Sequence, residues 1–282
     1  MTRPGDDTTV IGGGRMGAGI AHALLLAGCR VQLVEASADA AAAATRRVAG
    51  LVRATDERGA LAEPVGQVLA RFATVASAAA AKGSSLVVEA VPEDPALKVR
   101  ILAELERHTG EETLLATNTS SISIDELAAG LSRPERFLGM HFFNPVPASR
   151  LVEIVRGAQT SGAAVTGARD WVAALGKTPI VVSDSPGFAS SRLGLALGLE
   201  AIRMVEDGVA SAADIDLAMT LGYKHPVGPL RLTDLVGLDV RLAIATYLQE
   251  RLGERFTPPK LLIAMVERGD LGRKTGRGFH EW

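Results

Sequence analysis

The strongest constraint on the fold is a glycine-rich stretch that directly follows a short run of β-forming residues. Thr8–Ile11 reads as a strand, and the next six residues, Gly12-Gly13-Gly14-Arg15-Met16-Gly17, have the spacing G-x-G-x-x-G. Gly12 permits a tight turn, Gly14 lets the backbone approach a pyrophosphate, and Gly17 lets a helix pack closely on the strand. Arg15 and Met16 belong to the same loop and are expected to contact the same ligand.

The residues after this loop complete a strand–helix–strand unit. A helical pattern covers Met16–Ala27, and a second strand, Arg30–Val34, leads to Glu35. Free N–H groups at the start of the helix would face the phosphates, and the Glu35 carboxylate would bond the adenosine ribose. An acid at this position repels the 2′-phosphate of NADP, so the pattern predicts NAD as the cofactor. Arg46 and Arg47, in the next helix, are not obviously placed to bind a 2′-phosphate and so reverse this preference. A glycine-rich turn without a ligand is the alternative interpretation.

Strands and helices continue to alternate up to residue 185. The further predicted strands are Leu86–Val88, Leu114–Thr117, Phe137–Met140, Leu151–Val155 and Pro179–Val182, and the helices between them are Ser37–Arg58, Pro95–His108 and Ser161–Leu175. This alternation predicts an α/β fold with a doubly wound, mostly parallel sheet of the Rossmann type. Asn118 and Ser120 follow a predicted strand, where such a sheet presents its ligand-binding crevice.

The pattern changes after residue 185, where no convincing strand is found. The predicted helices are Ser191–Glu206, Ala212–Leu221, Arg231–Leu252 and Pro259–Arg268. We therefore expect an NAD-binding domain at 1–185 and an all-helical domain at 186–282 for substrate binding and dimerisation. Ser191–Glu206 is apolar nearly all round, and a helix buried on every side needs neighbours beyond one small domain. That pattern predicts a homodimer.

One histidine and one carboxylate are candidates for acid–base chemistry. His141 lies among apolar residues, and Glu153 shares a strand face with Leu151 and Val155. Pro145 and Pro147 lie between them and favour a turn that brings the chain back. A buried carboxylate needs a partner, and His141 is the natural one. The residues alone leave open a core histidine and an exposed strand-edge glutamate.

Composition narrows the class of protein. The net charge is −2 over 282 residues and no basic block is present, so nothing favours nucleic acid or an anionic membrane. No apolar run reaches membrane-spanning length. The single cysteine, Cys29, excludes an intramolecular disulfide and fits a reducing compartment, so a cytoplasmic location is expected. No histidines or cysteines cluster at metal-ligand spacing, and no metal site is predicted.

Eight motifs, in order, resemble one family. The motifs are VIGGGRMGAGIA, VVEAVPE, ATNTSSISI, GMHFFNPVP, LVEIVRG, DSPGF, GPLRLTDLVGLD and GRKTGRGF. Together they make the chain similar to the 3-hydroxyacyl-CoA dehydrogenases, and above all to the short bacterial 3-hydroxybutyryl-CoA dehydrogenases. The resemblance implies an NAD-dependent interconversion of (S)-3-hydroxyacyl-CoA and 3-oxoacyl-CoA.

The resemblance also implies roles for individual residues. His141 matches the catalytic base, Glu153 the acid that orients it, and Ser120 the serine that hydrogen-bonds the substrate oxygen. Glu93 and Lys98 match residues that line the ribose and nicotinamide side of the cofactor, and Asn118 lies in the NTSS motif beside them.

One position departs from the family pattern. The family usually has asparagine in GFxxNR, contributing to the active site, whereas GFASSR has Ser191 there. A serine hydroxyl is shorter and lacks the second polar atom of the amide. This difference bears on efficiency or substrate preference. Two alternatives remain: a related dehydrogenase of another 3-hydroxy acid, free or on acyl carrier protein, and an NAD-binding structural protein that has lost its chemistry.

Overall fold

The computed structural model describes residues 5–282, which divide into two compact units with the boundary along the chain between Asp184 and Ser185. The first unit contains every strand of the sheet, and the second, Ser185–Trp282, is built from helices. Each unit has its own apolar core.

The first unit contains an eight-stranded sheet within the described residues. The strands are Asp7–Ile11 (β1), Arg30–Val34 (β2), Phe72–Val75 (β3), Leu86–Glu89 (β4), Leu114–Thr117 (β5), Phe137–Phe142 (β6), Leu151–Arg156 (β7) and Thr178–Ser183 (β8). Their order is β3-β2-β1-β4-β5-β6-β7-β8, and every neighbouring pair is parallel except β6 and β7. The predicted fold class, a mostly parallel doubly wound sheet, is confirmed. The strand order reverses at β1 and β4, which is where such sheets bind ligands.

Six helices connect these strands. They are Arg15–Leu26 (α1), Ala38–Asp56 (α2), Val65–Leu69 (α3), Pro95–His108 (α4), Ile124–Ala128 (α5) and Gly162–Ala174 (α6). Side-chain caps fix where several of them begin: Ser37 accepts a hydrogen bond from the Ala40 N–H, and Asp94 accepts one from the Leu97 N–H. Pro95 occupies the first turn of α4, where its missing N–H costs nothing.

Three elements of the first unit were not predicted: β3, α3 and α5. Each is only four or five residues long. β3 is partly exposed along its length, so it has no alternating apolar pattern. Short elements of this kind are held by the sheet and helices around them rather than by their own sequence.

The second unit contains five helices. They are Ser190–Glu206 (α7), Ala212–Leu217 (α8), Pro229–Val236 (α9), Leu238–Leu252 (α10) and Lys260–Glu267 (α11). A π-helical turn, Ala218–Gly222, continues α8. The prediction of one helix over Arg231–Leu252 is wrong, because Gly237 has a φ of 105° and breaks that segment into α9 and α10.

Within one chain α7 is buried on one side only, and the burial of its other faces by a second copy stays a prediction. Leu195, Leu199 and Ile202 are buried, but Leu193 is 70% exposed. Leu193 and Leu195 are two residues apart, which places them on different faces of the helix, whereas Leu195 and Leu199 are four apart and share the buried face.

No helix within residues 5–282 is both long enough and apolar enough to span a bilayer. Over the same residues, no group of three or more His, Cys, Asp or Glu side chains is placed to hold a metal ion.

Candidate active site

His141 and Glu153 form a buried pair across the antiparallel strands β6 and β7. They are partners in the strand register, and His141 Nδ1 lies 2.8 Å from Glu153 Oε2. Glu153 is fully buried and His141 is 7% exposed. A carboxylate only accepts hydrogen bonds, so Nδ1 carries the proton and Nε2 remains a base. The strand pairing thus provides an oriented imidazole.

A cavity of about 340 Å³ opens beside this imidazole. Besides His141, its walls include Met16, Glu93, Asn118, Ser120 and Asn144. Asn118 is fixed there because its Oδ1 accepts the Phe142 N–H at 2.9 Å. The structure therefore brings together four of the sequence-predicted site residues with the predicted base. Asn144 was missed, although it lies inside the HFFNP motif.

Glu93 organises the loop after β5. Its Oε1 accepts the Thr119 hydroxyl at 2.6 Å, the Ser120 N–H at 2.9 Å and the Ser120 hydroxyl at 3.3 Å. Burial alone would raise the pKa of the Glu93 carboxyl, but these bonds and the charge of Lys98 outweigh it and hold the pKa below its usual value. Glu93 is therefore a charged group that positions Ser120.

Lys98 is completely buried and lies behind Glu93. Its Nζ lies 2.8 Å and 3.1 Å from the two carboxylate oxygens of Glu89 and 3.4 Å from Glu93 Oε2. Glu89 is also fully buried and accepts the Thr117 hydroxyl at 2.6 Å. The Lys98 ammonium therefore contacts two carboxylates, and it supports the cavity wall through Glu93. Glu89 was missed by sequence reasoning; the signal was a charged residue ending the apolar strand β4.

The glycine loop has the geometry that its motif requires. Gly12 has a φ of 91°, and a Cβ there would lie 2.9 Å from the Ala90 carbonyl oxygen. A Cβ on Gly17 would lie 1.8 Å from the Gly12 carbonyl oxygen, so α1 can approach the turn only with glycine. Gly14 has no heavy atom within 4 Å of its Cβ position, and that open side faces a cavity.

This second cavity, of about 700 Å³, extends from the glycine loop to the end of β2. Gly12, Gly14, Arg15, Met16 and Glu35 line it on one side, and its opposite wall is mostly apolar. It adjoins the His141 cavity, because Met16, Ala90 and Val91 line both. The residues present fit an extended dinucleotide, with phosphates at the start of α1 and a ribose at Glu35.

Glu35 and Arg47 both hold the backbone of Gly13. The Gly13 N–H donates to Glu35 Oε1 at 2.6 Å, and Arg47 Nη1 donates to the Gly13 carbonyl oxygen at 3.1 Å. Arg47 thus extends from α2 to the glycine loop and lies closer to the cofactor site than the sequence indicated. Its guanidinium already donates a hydrogen bond there, to the Gly13 carbonyl oxygen.

Ser191 lies in the second unit. It is the second residue of α7 and is partly buried. Its contribution to catalysis stays a prediction.

Each of the two units matches a known protein family. Residues 7–185 match the family described as 3-hydroxyacyl-CoA dehydrogenase, NAD binding domain, and residues 187–282 match 3-hydroxyacyl-CoA dehydrogenase, C-terminal domain.

Relatives of similar length cover nearly the whole chain. A protein of Bacillus subtilis named probable 3-hydroxybutyryl-CoA dehydrogenase is 40% identical, over 97% of this chain and 96% of its own length. The 3-hydroxybutyryl-CoA dehydrogenase of Mycobacterium tuberculosis is 43% identical, over 97% of each chain. The crystal structure of (S)-3-hydroxybutyryl-CoA dehydrogenase from Ralstonia eutropha covers 98% of each chain at 40% identity, with a TM-score of 0.93.

A Rossmann-type sheet, a glycine loop with an acid at the end of β2 and an adjoining His–Glu pair define an NAD-dependent dehydrogenase. The matches to both domains and the full-length relatives make the assignment specific. The chain belongs to the 3-hydroxyacyl-CoA dehydrogenase family. The predicted family and the NAD cofactor are confirmed.

Proposed function

We propose that this protein interconverts short-chain (S)-3-hydroxyacyl-CoA and 3-oxoacyl-CoA, with 3-hydroxybutyryl-CoA as the substrate. The observation that carries the proposal is the His141–Glu153 pair, which opens into a cavity shared with Ser120 and adjoining the dinucleotide cleft. The relatives named above are 3-hydroxybutyryl-CoA dehydrogenases, which supports the short acyl chain.

The proton chemistry belongs to His141. Bound NAD supplies the hydride acceptor, so the protein must remove the hydroxyl proton as the C3–H bond breaks. Nε2 of His141 takes that proton, and the resulting imidazolium is stabilised by Glu153 at 2.8 Å from Nδ1. In the reverse direction the same nitrogen returns the proton to the 3-oxo oxygen.

Ser120 positions the reacting oxygen. Its backbone N–H and hydroxyl are both held by Glu93, so the side chain lies on the cavity wall rather than turning freely. While its single O–H is donated to Glu93, the Ser120 oxygen can accept a hydrogen bond from a substrate hydroxyl; to bond a 3-oxo group, that O–H turns from Glu93 to the substrate. Ser191 is proposed to add one weaker hydrogen bond in place of the family's asparagine.

NADH oxidation tests this function. The unmodified protein should oxidise NADH with acetoacetyl-CoA, and the rate should fall as the 3-oxoacyl chain lengthens. An acyl-carrier-protein thioester preferred over the CoA thioester would favour the other carrier, and preference for a free 3-oxo acid would favour the other substrate class. NAD binding without turnover of any of these would mean that the chemistry has been lost.

We also propose a cytoplasmic homodimer. Besides Leu193, large apolar side chains are exposed on the helical unit at Leu217, Leu221 and Tyr223. Exposed apolar groups of this kind are typical of a surface covered by another chain. Light scattering should give twice the chain mass at micromolar concentration; a stable monomer contradicts the dimer.

Cys29 is buried and its thiol pKa is raised to about 11 by burial, so it stays reduced and unreactive, in keeping with a cytoplasmic enzyme.

A further inference from the structure

Glu89 is a fully buried carboxylate that the proposed proton chemistry does not use. It is the last residue of β4, and its side chain has no contact with solvent. A carboxylate in such a position is costly unless hydrogen-bond donors surround it. The donors that surround Glu89 therefore show which parts of the fold this residue connects.

Among the described residues, three segments of the first unit donate to the Glu89 carboxylate. The Val91 N–H donates to Oε1 at 2.7 Å, and the Thr117 hydroxyl donates to Oε2 at 2.6 Å. The Lys98 ammonium donates to both oxygens, at 2.8 Å and 3.1 Å. The corner after β4 (residues 90–91), the end of β5 and the helix α4 are thus tied to one carboxylate.

The corner after β4 is a wall that the two cavities share. Ala90 and Val91 line both cavities, and a Cβ on Gly12 would lie 2.9 Å from the Ala90 carbonyl oxygen. The Ala90 N–H donates to the Ile11 carbonyl oxygen at 2.8 Å. The corner therefore lies against the glycine loop, and the bond from Val91 to Glu89 fixes its conformation.

The end of β5 leads into the loop that lines the His141 cavity, residues 118–121. The Asn118 N–H donates to the Glu89 backbone oxygen at 2.7 Å, and Asn118 Oδ1 accepts the Phe142 N–H. Thr117, which directly precedes this loop, is fully buried, and its hydroxyl is bonded to Glu89. Glu89 therefore anchors the start of the loop through both its backbone and its side chain.

The position of Ser120 depends on Glu89 from two directions. Ser120 follows Thr117 by three residues, and its N–H is held by Glu93, which follows Val91 by two residues. Both Thr117 and Val91 donate to the Glu89 carboxylate. Glu89 thus fixes the two segments whose contact places the Ser120 hydroxyl.

We propose that Glu89 and Thr117 are positioning residues for the reaction, because their hydrogen bond holds the loop 118–121 at a fixed distance from the corner that borders the cofactor cleft. The inference rests on the function proposed above, in which the substrate carbon must lie close to the bound nicotinamide. Loss of this bond frees the loop, whereas the corner keeps its own bond to Glu89. Hydride transfer should then slow, and NADH binding should change little.

Thr117→Val tests the proposal, because valine has nearly the shape of threonine but no hydroxyl. With acetoacetyl-CoA and NADH, kcat should fall about 10- to 100-fold, the scale on which misplaced groups slow a reaction. The KM for acetoacetyl-CoA and the Kd of NADH should each change less than about threefold, since the contacts that bind both molecules remain. Thr117→Ser keeps the hydroxyl and should retain most of the kcat.

Thr113→Val is the matched control. Thr113 directly precedes β5, is 3% exposed and donates its hydroxyl to the Ser84 carbonyl oxygen at 2.8 Å. It lies four residues from Thr117, about 13 Å along the strand, and it lines neither of the two cavities. Thr113→Val should therefore lower the urea midpoint of unfolding, as Thr117→Val does, and leave kcat unchanged.

Failure of the reaction and failure of the positioning role give different results. No oxidation of NADH with acetoacetyl-CoA by the unmodified protein would refute the proposed function, and the inference with it. Turnover by the unmodified protein together with an unchanged kcat in folded Thr117→Val would refute the positioning role alone. An equal loss of kcat in Thr113→Val would assign the effect to general loosening of the sheet and overturn the inference. Thr117→Ala removes the same hydroxyl and gives the same comparison should Thr117→Val not fold.

Discussion

His141 and Glu153 lie directly opposite each other on β6 and β7. Among the strands of residues 5–282, these two form the antiparallel pair of an otherwise parallel sheet. Residues in register across antiparallel strands have close Cβ atoms, so a hairpin can set the distance between two side chains twelve residues apart. A parallel crossover would need a longer connection. The reversal in strand direction is therefore what brings the proposed base and its carboxylate together.

Removing the base should abolish most of the turnover and leave the fold intact. We expect His141→Gln to lower kcat with acetoacetyl-CoA by roughly 10²–10⁴, the usual value of general acid–base catalysis. NADH binding, followed by fluorescence, should change little because His141 does not line the dinucleotide cleft. Near-normal kcat in a folded His141→Gln protein would place the chemistry on another group.

Replacing the partner carboxylate should have a smaller effect. Glu153→Gln keeps the side-chain volume but removes the charge that stabilises the imidazolium, so kcat should fall by roughly 10- to 10³-fold. Ser191→Asn is the comparison variant. One neutral hydrogen bond is worth about 0.5–1.5 kcal/mol, so its effect should not exceed roughly tenfold. A larger loss for Ser191→Asn than for Glu153→Gln would contradict the proposed roles.

Glu35 should determine cofactor preference. The unmodified protein should prefer NADH, and Glu35→Ala should shift the kcat/KM ratio towards NADPH by roughly tenfold or more, since the repelling charge is gone. Arg47, which bonds the same residue, Gly13, would then be a cation near the 2′-phosphate. The double variant Glu35→Ala/Arg47→Met should show less NADPH use than Glu35→Ala. NADPH preferred by the unmodified protein would contradict the assignment.

The fold was readable from the sequence because its signals are local. The glycine loop, the caps at Ser37 and Asp94 and the apolar strands each act within a few residues, and they set the order of strands and helices. β3 was missed because its four residues gain their stability from pairing with β2, which is a non-local contact. The break at Gly237 was missed because glycine is tolerated inside helices, and only its positive φ distinguishes the two cases.

The site was partly readable for the same reason. His141 and Glu153 were proposed from strand alternation and from the turn between them. Glu89 and Lys98 were not predicted to pair. Glu89 ends β4 and Lys98 lies on the following helix, α4, and the periodicity of a single sequence does not indicate which charged side chains of a strand and a helix come into contact.

The buried pair Glu89–Lys98 should be important for stability. Glu89→Gln leaves the Lys98 ammonium fully buried, with Glu93 as its remaining carboxylate at 3.4 Å. Removing one partner of a buried ion pair costs about 3–5 kcal/mol, so the free energy of unfolding in urea should fall by this amount. The double variant Glu89→Gln/Lys98→Met should recover part of the loss, because the unpaired charge is gone. A loss no smaller than that of the single variant would show that Lys98 contributes through its other contacts.

His22 should make the protein less stable in mild acid. It is 3% exposed, and its Nε2 lies 2.9 Å from the Thr55 hydroxyl. Desolvation first, and then the charges of Arg58 and Lys177, lower its pKa to about 4 from 6.5. Below pH 6.5 the unfolded chain binds a proton that the folded chain refuses, so stability falls as the pH drops towards 4 and the loss then levels off.

The contribution of His22 can be isolated by comparing two pH values. Between pH 7.5 and pH 5 the free energy of unfolding should fall by roughly 1–2 kcal/mol more in the unmodified protein than in His22→Gln, whose amide can still bond Thr55 but does not titrate. His108→Gln, at the exposed end of α4, is the matched control and should retain the full pH dependence. If His22→Gln loses as much stability as the unmodified protein, the acid sensitivity arises elsewhere and His22 is protonated in the folded state.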